Sequence, residues 1–171
     1  MKILLIGDSI TESFKTDLLL PRLKILNKGI YGDNSEGVFN RLKHDVIAQA
    51  PDIVYILIGT NDFALGRSKN QLLETLENTA EILQTYLKKT KIYFTSILPT
   101  RSIENRPNKR INEMNLLISK LCERKGLEYF NLHSEMADEF GNLKGELTID
   151  GLHLTEAAYK KWAQILLSRH S

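Results

Sequence analysis

Cysteine is nearly absent from this chain of 171 residues, which contains only Cys122. An intramolecular disulfide is therefore excluded. The helical spacing of Met114, Ile118 and Cys122 favours a buried structural thiol over a catalytic one. Long hydrophobic runs are also absent, because the first, residues 3–6, is shorter than the roughly 7–15 apolar residues of a signal peptide and none approaches the roughly 20 of a membrane span. We therefore expect a cytoplasmic protein with no membrane span.

An excess of charge of either sign is missing too, since the formal net charge is only +2. Such a balance gives no reason to expect nucleic acid or an anionic membrane as a partner. The sequence has no repeat, low-complexity segment or linker that would divide it. Its length and its 42% hydrophobic content are enough to bury a substantial core, so we predict a single domain over residues 1–171.

What the sequence does contain is an alternation of short apolar runs with helical patterns. Runs typical of buried parallel strands occur at residues 3–6, 53–58, 92–98 and 129–132, with a weaker one at 25–26. Helical spacing separates them, and Ser35 and Thr155 are predicted as N-caps of two of the helices. Because the alternation continues along the whole chain, we predict an α/β sandwich with a mostly parallel sheet.

Polar clusters follow the predicted strands, at the sheet edge where ligands bind in parallel α/β proteins. They comprise Asp8-Ser9 after the first strand, Gly32 after the second, Asn61-Asp62 after the third, and Asp150 with His153 before the last helix. The chain has no cluster of Cys, His and carboxylate residues at metal-ligand spacing, so we expect neither a metal nor another cofactor. The clusters together provide the groups that acyl transfer by a serine enzyme requires.

The chemistry suggests a role for each group. Ser9 is a poor nucleophile unless a base such as His153 removes its proton, and Asp150 is close enough in sequence to hold the other imidazole nitrogen. The backbone N–H groups of Ser9 and Gly32, near predicted helix starts, and the amide of Asn61 could stabilise an oxyanion. Glycine at position 32 leaves room for the substrate oxygen. The predicted partner is therefore a small-molecule ester.

A resemblance to the GDSL or SGNH hydrolase family is carried by four blocks in the family's order: Gly7-Asp8-Ser9-Ile10, Gly32, Gly59-Thr60-Asn61-Asp62 and Asp150-Gly151-Leu152-His153. It covers essentially the whole chain. The resemblance implies a flavodoxin-like three-layer sandwich, with a five-stranded parallel sheet in the order 2-1-3-4-5 and helices on both faces. It also implies Ser9 as nucleophile, His153 as base and Asp150 as its partner, with an oxyanion hole formed by Ser9, Gly32 and Asn61. Family members cleave esters and thioesters without a metal.

Substrate contacts are less clearly indicated. Tyr31 and Phe63 flank residues of the predicted oxyanion hole, so each is either a wall of the substrate pocket or a packing residue. Arg101 and Arg106 lie in the irregular stretch 99–108 and could reach an anionic substrate, although a solvated loop is the simpler interpretation. This polar stretch is the only sizeable irregular segment, and it could hardly cover a long acyl chain. We therefore predict a preference for short acyl groups, acetyl above all.

Other functions remain open from the sequence. A thioesterase or lysophospholipase that prefers longer acyl chains would use the same residues. A nucleotide- or carbohydrate-binding module without catalysis would fit the fold, but it would leave Asp150 and His153 without a role. The α/β-hydrolase elbow is excluded, because its G-x-S-x-G motif is not present around Ser9. Asp8 and Asp62 are predicted to hydrogen-bond the local backbone.

Overall fold

Five parallel strands form one sheet in the computed structural model, which describes residues 1–170. They are β1 (Lys2–Gly7), β2 (Lys24–Gly29), β3 (Ile53–Leu57), β4 (Lys91–Thr95) and β5 (Glu128–Phe130). Their order in the sheet is β2-β1-β3-β4-β5, which confirms the predicted order. The weak apolar run at residues 25–26 thus belongs to the edge strand β2, whose half-buried side chains explain the faint sequence signal.

The connections between strands are helical. The helices are α1 (Ser9–Glu12), α2 (Thr16–Leu19), α3 (Ser35–Asp45), α4 (Thr60–Ala64), α5 (Lys69–Tyr86), α6 (Asn108–Lys125), α7 (His133–Met136) and α8 (Glu156–His170). Short 3₁₀ helices occur at Ile47–Gln49 and Gly145–Leu147. Within residues 1–170, we find no helix with the length and apolar character needed to span a membrane.

Two apolar cores lie on the two faces of the sheet. Along β1, Ile3 and Leu5 face one core while Leu4 and Ile6 face the other, as the period of two along a strand requires. The first core is closed by Phe14 and by the inner face of α8, where Trp162 stacks on Phe14 with ring centroids 4.5 Å apart. The second core is closed by α3, α5 and α6. The result is a three-layer sandwich, as predicted.

One predicted strand ends earlier than its apolar run. β4 stops at Thr95, although Ser96, Ile97 and Leu98 remain buried. The side-chain amide of Asn115 on α6 accepts a hydrogen bond from the Ile97 N–H at 2.8 Å and donates one to the Ile97 carbonyl at 2.9 Å. This amide takes the place of a neighbouring strand, so the backbone groups of Ile97 stay paired where the segment leaves the sheet.

The helix caps were predicted with mixed success. Thr155 directly precedes α8 and its Oγ1 accepts a 3.4 Å hydrogen bond from the Ala158 N–H, as expected of an N-cap. The predicted cap Ser35 is wrong by one residue, because Asn34 is the N-cap of α3 and its side chain accepts from the N–H groups of the following turn. Ser35 instead binds a carboxylate described below. Cys122 is buried, as predicted, and burial raises the pKa of its thiol to about 11.

Candidate active site

Ser9 is the first residue of α1, directly beyond the carboxyl end of β1, an interior strand of the sheet. Asp8 caps this short helix, since its Oδ1 accepts a 2.9 Å hydrogen bond from the Ile10 N–H. This confirms the predicted local backbone contact of Asp8. Ser9 itself is 8% exposed, so its hydroxyl lies at the boundary between the core and the surface.

The loop that precedes α8 brings an imidazole to Ser9. The Nε2 atom of His153 lies 3.4 Å from Ser9 Oγ, and its Nδ1 lies 2.7 Å from Asp150 Oδ2. With the Nδ1 proton donated to the carboxylate, Nε2 presents a lone pair to the serine hydroxyl. Asp150 and His153 share one tight loop, whereas Ser9 is at least 141 positions away from both in the sequence. The structure thus brings these three residues together in the order carboxylate, imidazole and hydroxyl.

Asp150 is held as an ionised carboxylate. Its Oδ1 accepts hydrogen bonds from the backbone N–H groups of Leu152 at 2.9 Å and His153 at 2.7 Å. Partial desolvation raises the pKa of Asp150, but the hydrogen bonds from the His153 ring and from the two backbone groups outweigh it and lower that pKa to about 2. The group that faces the imidazole is therefore negatively charged over the whole neutral range.

Gly151 fixes the course of this loop. Its φ of +91° is rarely adopted by residues with a side chain, and an added Cβ would lie 2.1 Å from the Arg101 carbonyl oxygen. The Arg101 N–H donates a 2.8 Å hydrogen bond to the Gly151 carbonyl. The loop that carries Asp150 and His153 is thereby attached to the irregular segment after β4.

Potential oxyanion donors meet at the same edge of the sheet. Asn61 is the second residue of α4, and its Nδ2 donates one hydrogen bond to the Asp33 carbonyl at 2.8 Å. Within residues 1–170, the backbone N–H groups of Ser9 and Gly32 donate to no protein acceptor. Gly32 lies in the turn three residues ahead of α3, just before a helix as predicted, and Ser9 begins α1. Unpaired N–H groups of this kind can hold a developing negative charge.

Glycine is favoured at position 32 by the conformation of the backbone and not by a lack of space for a side chain. Its φ is +73°, and a Cβ built at this position would meet no protein atom within 4 Å. The space into which a side chain would project is therefore open to solvent or to a ligand. This agrees with the expectation that the position leaves room for a substrate oxygen.

A buried carboxylate fixes the Gly32 turn relative to Asn61. Asp62 is fully buried and accepts hydrogen bonds from the Ser35 N–H at 3.0 Å and hydroxyl at 2.6 Å, and from the Arg67 guanidinium at 3.0 Å. Desolvation raises its pKa, against the lowering effect of these partners. The predicted local turn of Asp62 is therefore wrong, because the carboxylate joins α4 to the start of α3. A contact over 27 residues leaves no local pattern in the sequence.

The predicted substrate contacts are placed very differently from one another. Tyr31 is 75% exposed beside Gly32 and is free to contact a ligand. Phe63 is 2% exposed, and the Arg110 guanidinium covers its ring at 4.8 Å, so it packs in the core and does not form a wall of the site. The reason is the turn of α4, which directs residue 63 inward. Arg101 donates to the Leu143 carbonyl at 2.6 Å and to Asp138 at 2.5 Å, so protein partners already occupy its guanidinium.

The irregular segment after β4 also brings Arg106 to the site, through contacts with α4 that the sequence did not predict. Its Nη2 donates to Asn61 Oδ1 at 3.0 Å, and its Nε to the Thr60 carbonyl at 3.2 Å. The simple solvated loop that the sequence suggested is therefore wrong for both arginines. Among residues 1–170, no group of three or more His, Cys, Asp or Glu side chains is placed to hold a metal ion.

Asp8 gives a prediction for stability. Burial raises the pKa of Asp8 to about 7, with Asp33 adding to the effect and His153 and Arg106 opposing it. The folded state thus holds this proton more tightly than the unfolded state. The contribution of Asp8 protonation to the free energy of unfolding is therefore fully present at about pH 4 and falls as the pH rises toward 7. Asp8→Asn keeps the capping oxygen without the charge, and we expect it to raise Tm by several degrees at pH 8 and much less at pH 4.5. Thermal unfolding at the two pH values measures this.

The control for this experiment is Asp17→Asn, which changes an exposed carboxylate on α2. It should shift Tm little at either pH. An equal Tm shift for Asp8→Asn at both pH values would contradict the expectation, because it would mean that the ionisation of Asp8 does not contribute to the change in stability.

Comparisons with known proteins agree with this fold. Residues 5–161 match the model of the GDSL-like lipase/acylhydrolase family. A Streptococcus pneumonia structure named for platelet activating factor is 31% identical, with a TM-score of 0.91 over 98% of this chain and 82% of that one. A variant of an acetyl-xylooligosaccharide esterase from Geobacillus Stearmophilus is 21% identical, with a TM-score of 0.78 over 98% of this chain and 92% of that one, a likeness that shows the fold alone.

A curated relative of different activity also matches. The N-acylneuraminate cytidylyltransferase of Escherichia coli O18:K1:H7 is 27% identical over 139 residues. That alignment covers 80% of this chain but only 33% of the relative, so this chain spans about a third of that protein. The family match includes every residue of the site described above. The chain belongs to the GDSL-like lipase/acylhydrolase family.

Proposed function

We propose that this protein is a serine esterase that hydrolyses short-acyl esters, with acetyl esters preferred. The observation that carries the proposal is the hydrogen-bonded line from Asp150 through His153 to the Ser9 hydroxyl. His153 Nε2 takes the Ser9 proton as Oγ attacks the ester carbonyl, and the imidazolium then gives that proton to the departing alcohol. A water oxygen then attacks the acyl carbon as His153 takes the water proton, and the bond from the acyl carbon to Ser9 Oγ breaks as the imidazolium returns that proton to Oγ. Asp150 stabilises the imidazolium at both stages.

The negative charge of each tetrahedral intermediate is placed between three donors. These are the backbone N–H groups of Ser9 and Gly32 and the second N–H of Asn61, whose first is used by the Asp33 carbonyl. Fixed donors aimed at a developing oxyanion are usually the largest single contribution to catalysis of this kind. The buried bonds of Asp62 support the arrangement, since they hold α4 and the turn before α3 together.

The removal of one donor provides a test. We expect Asn61→Ala to lower kcat by about 10²–10³-fold with a much smaller change in KM, because the oxyanion exists only near the transition state. Steady-state hydrolysis of 4-nitrophenyl acetate measures both constants. An effect confined to KM would mean that Asn61 binds the ground-state substrate and would contradict its assignment as an oxyanion donor.

The short-acyl preference rests on a small recess lined by Asp8 and Ile10, the two chain neighbours of Ser9. An apolar recess between Ile10, Leu57 and Leu152 adjoins Asp8, with room for little more than one water molecule. The acetyl-xylooligosaccharide esterase named above supports the same preference, as a relative in fold that acts on acetyl esters. We propose no cytidylyltransferase activity, because the matched part of this chain spans only about a quarter to a third of the proteins that carry that name.

A series of aryl esters from acetyl to lauroyl tests the proposed preference. We expect kcat/KM to be highest for acetyl and to decrease as the chain lengthens, because each added methylene finds no apolar cavity in which to be buried. Rates are compared below the aggregation concentration of each ester. A steady increase of kcat/KM with chain length would contradict the proposal and would favour a thioesterase or lysophospholipase of the same mechanism.

A further inference from the structure

Arg106 reaches back from the segment before α6 to the start of α4. Two N–H groups of its guanidinium are used on neighbouring residues, with Nη2 on Asn61 Oδ1 at 3.0 Å and Nε on the Thr60 carbonyl at 3.2 Å. The planar fork of an arginine suits such a pair of acceptors, which the single ammonium of a lysine cannot bind in the same way. Arg106 therefore contacts α4 at the residue that we assign to the oxyanion.

The backbone of Arg106 is itself fixed. Its carbonyl accepts a 2.7 Å hydrogen bond from the Thr100 hydroxyl, and its N–H donates to the Ile103 carbonyl at 3.1 Å. Thr100 is buried, and its N–H donates to Asn108 Oδ1 at 2.8 Å. The segment is thus a folded loop joined to the first residue of α6, so the guanidinium approaches Asn61 from a defined direction.

The chemistry of the Asn61 amide explains why such a contact matters. An amide group can be turned by 180° at little steric cost, and only its nitrogen can donate to an oxyanion. In the observed orientation, Oδ1 faces the Arg106 donor and Nδ2 faces the Asp33 carbonyl. The opposite orientation would direct the NH₂ group at a guanidinium and the amide oxygen at a carbonyl oxygen. Both contacts would be repulsive.

We propose that Arg106 is a positioning residue, which fixes the Asn61 amide so that its second N–H points at the oxyanion. The inference rests on the proposed function, because it requires that Asn61 donates to the intermediate. Arg106 acts through Asn61 and has no need to touch the substrate. Its positive charge also lies close enough to this edge of the sheet to lower the pKa of Asp8, so it favours negative charge there.

A double-mutant cycle with Asn61 tests the proposal. On 4-nitrophenyl acetate, Arg106→Met should lower kcat by about 10–100-fold with KM within about threefold of wild type. Arg106→Lys keeps the positive charge but loses the planar guanidinium, so its kcat should lie between that of wild type and that of Arg106→Met. In the Asn61→Ala background, Arg106→Met should change kcat by less than about threefold, because nothing remains to be oriented. The matched control is Arg124→Met, an exposed arginine of α6 paired with Glu77, which should leave both constants unchanged.

The possible outcomes are distinct. A loss from Arg106→Met that multiplies with that of Asn61→Ala would overturn the inference, and so would a loss confined to KM, which would mean direct contact with substrate. Thermal unfolding checks that each variant is folded, and if Arg106→Met is not, the same cycle is carried out with Arg106→Lys. A wild-type protein without esterase activity would overturn the proposed function and this inference with it. An active wild type with an unaffected Arg106→Met variant would overturn the inference alone.

Discussion

Replacing Ser9 by alanine is expected to lower kcat for ester hydrolysis by about 10⁶-fold while leaving the fold intact. The hydroxyl is the atom that attacks the carbonyl in the proposed mechanism, and no other hydroxyl among residues 1–170 is hydrogen-bonded to His153 Nε2. The alanine methyl group fits in the space of the Ser9 side chain. The hydrogen bond that caps α1, from the Ile10 N–H to Asp8, does not involve residue 9 and is therefore kept. Hydrolysis of 4-nitrophenyl acetate, with thermal unfolding beside it, measures both parts of the expectation.

Ser13→Ala is the matched control for this experiment. Ser13 directly follows α1 and is exposed, so the same chemical change is made four residues away and outside the line of groups. It should leave kcat within about twofold of wild type. A serine-directed fluorophosphonate should label wild type and Ser13→Ala and leave Ser9→Ala unlabelled. Activity of Ser9→Ala above a trace would exclude Ser9 as the nucleophile.

The fold and the grouping of Asp150, His153 and Ser9 could be predicted from the sequence, because both follow from local signals. Each buried strand is a short apolar run, and each ends in polar residues that a parallel sheet must gather at one edge. Asp150 and His153 share one loop, so their 2.7 Å contact requires only a tight turn. Ser9 lies at the same edge because it directly follows the carboxyl end of β1, an interior strand of the sheet.

The interactions that hold the oxyanion donors could not be anticipated in the same way. Asp62 binds Ser35 across 27 residues, and Arg106 binds Asn61 across 45. Neither spacing has a helical or strand period, and both residue types are common on solvated surfaces. The role of Phe63 is ambiguous in the sequence for a related reason. It is the fourth residue of the five-residue helix α4, and whether its side chain faces the core or the site depends on how α4 packs against the core. Only the tertiary arrangement gives these side chains their roles.

Asp150→Asn is expected to lower kcat by about 10⁴-fold, with little change in KM or in thermal stability. The reason is the pair of backbone donors on Oδ1, the N–H groups of Leu152 and His153. They will hold the amide oxygen of an asparagine at that position, which turns its NH₂ group toward His153 Nδ1. The ring must then accept at Nδ1 and carry its proton on Nε2, where it can no longer take the proton of Ser9.

Asp150→Ala separates the effect of this wrong tautomer from the loss of the carboxylate. The Asp150 side chain is 51% exposed, so water can replace it and accept the Nδ1 proton, and Nε2 then keeps its lone pair. We therefore expect Asp150→Ala to lose less activity than Asp150→Asn, although the larger volume is removed. Asp17→Asn on α2 serves as the control with unchanged kcat. A kcat of Asp150→Asn within about tenfold of wild type would mean that Asp150 does not set the tautomer of the base.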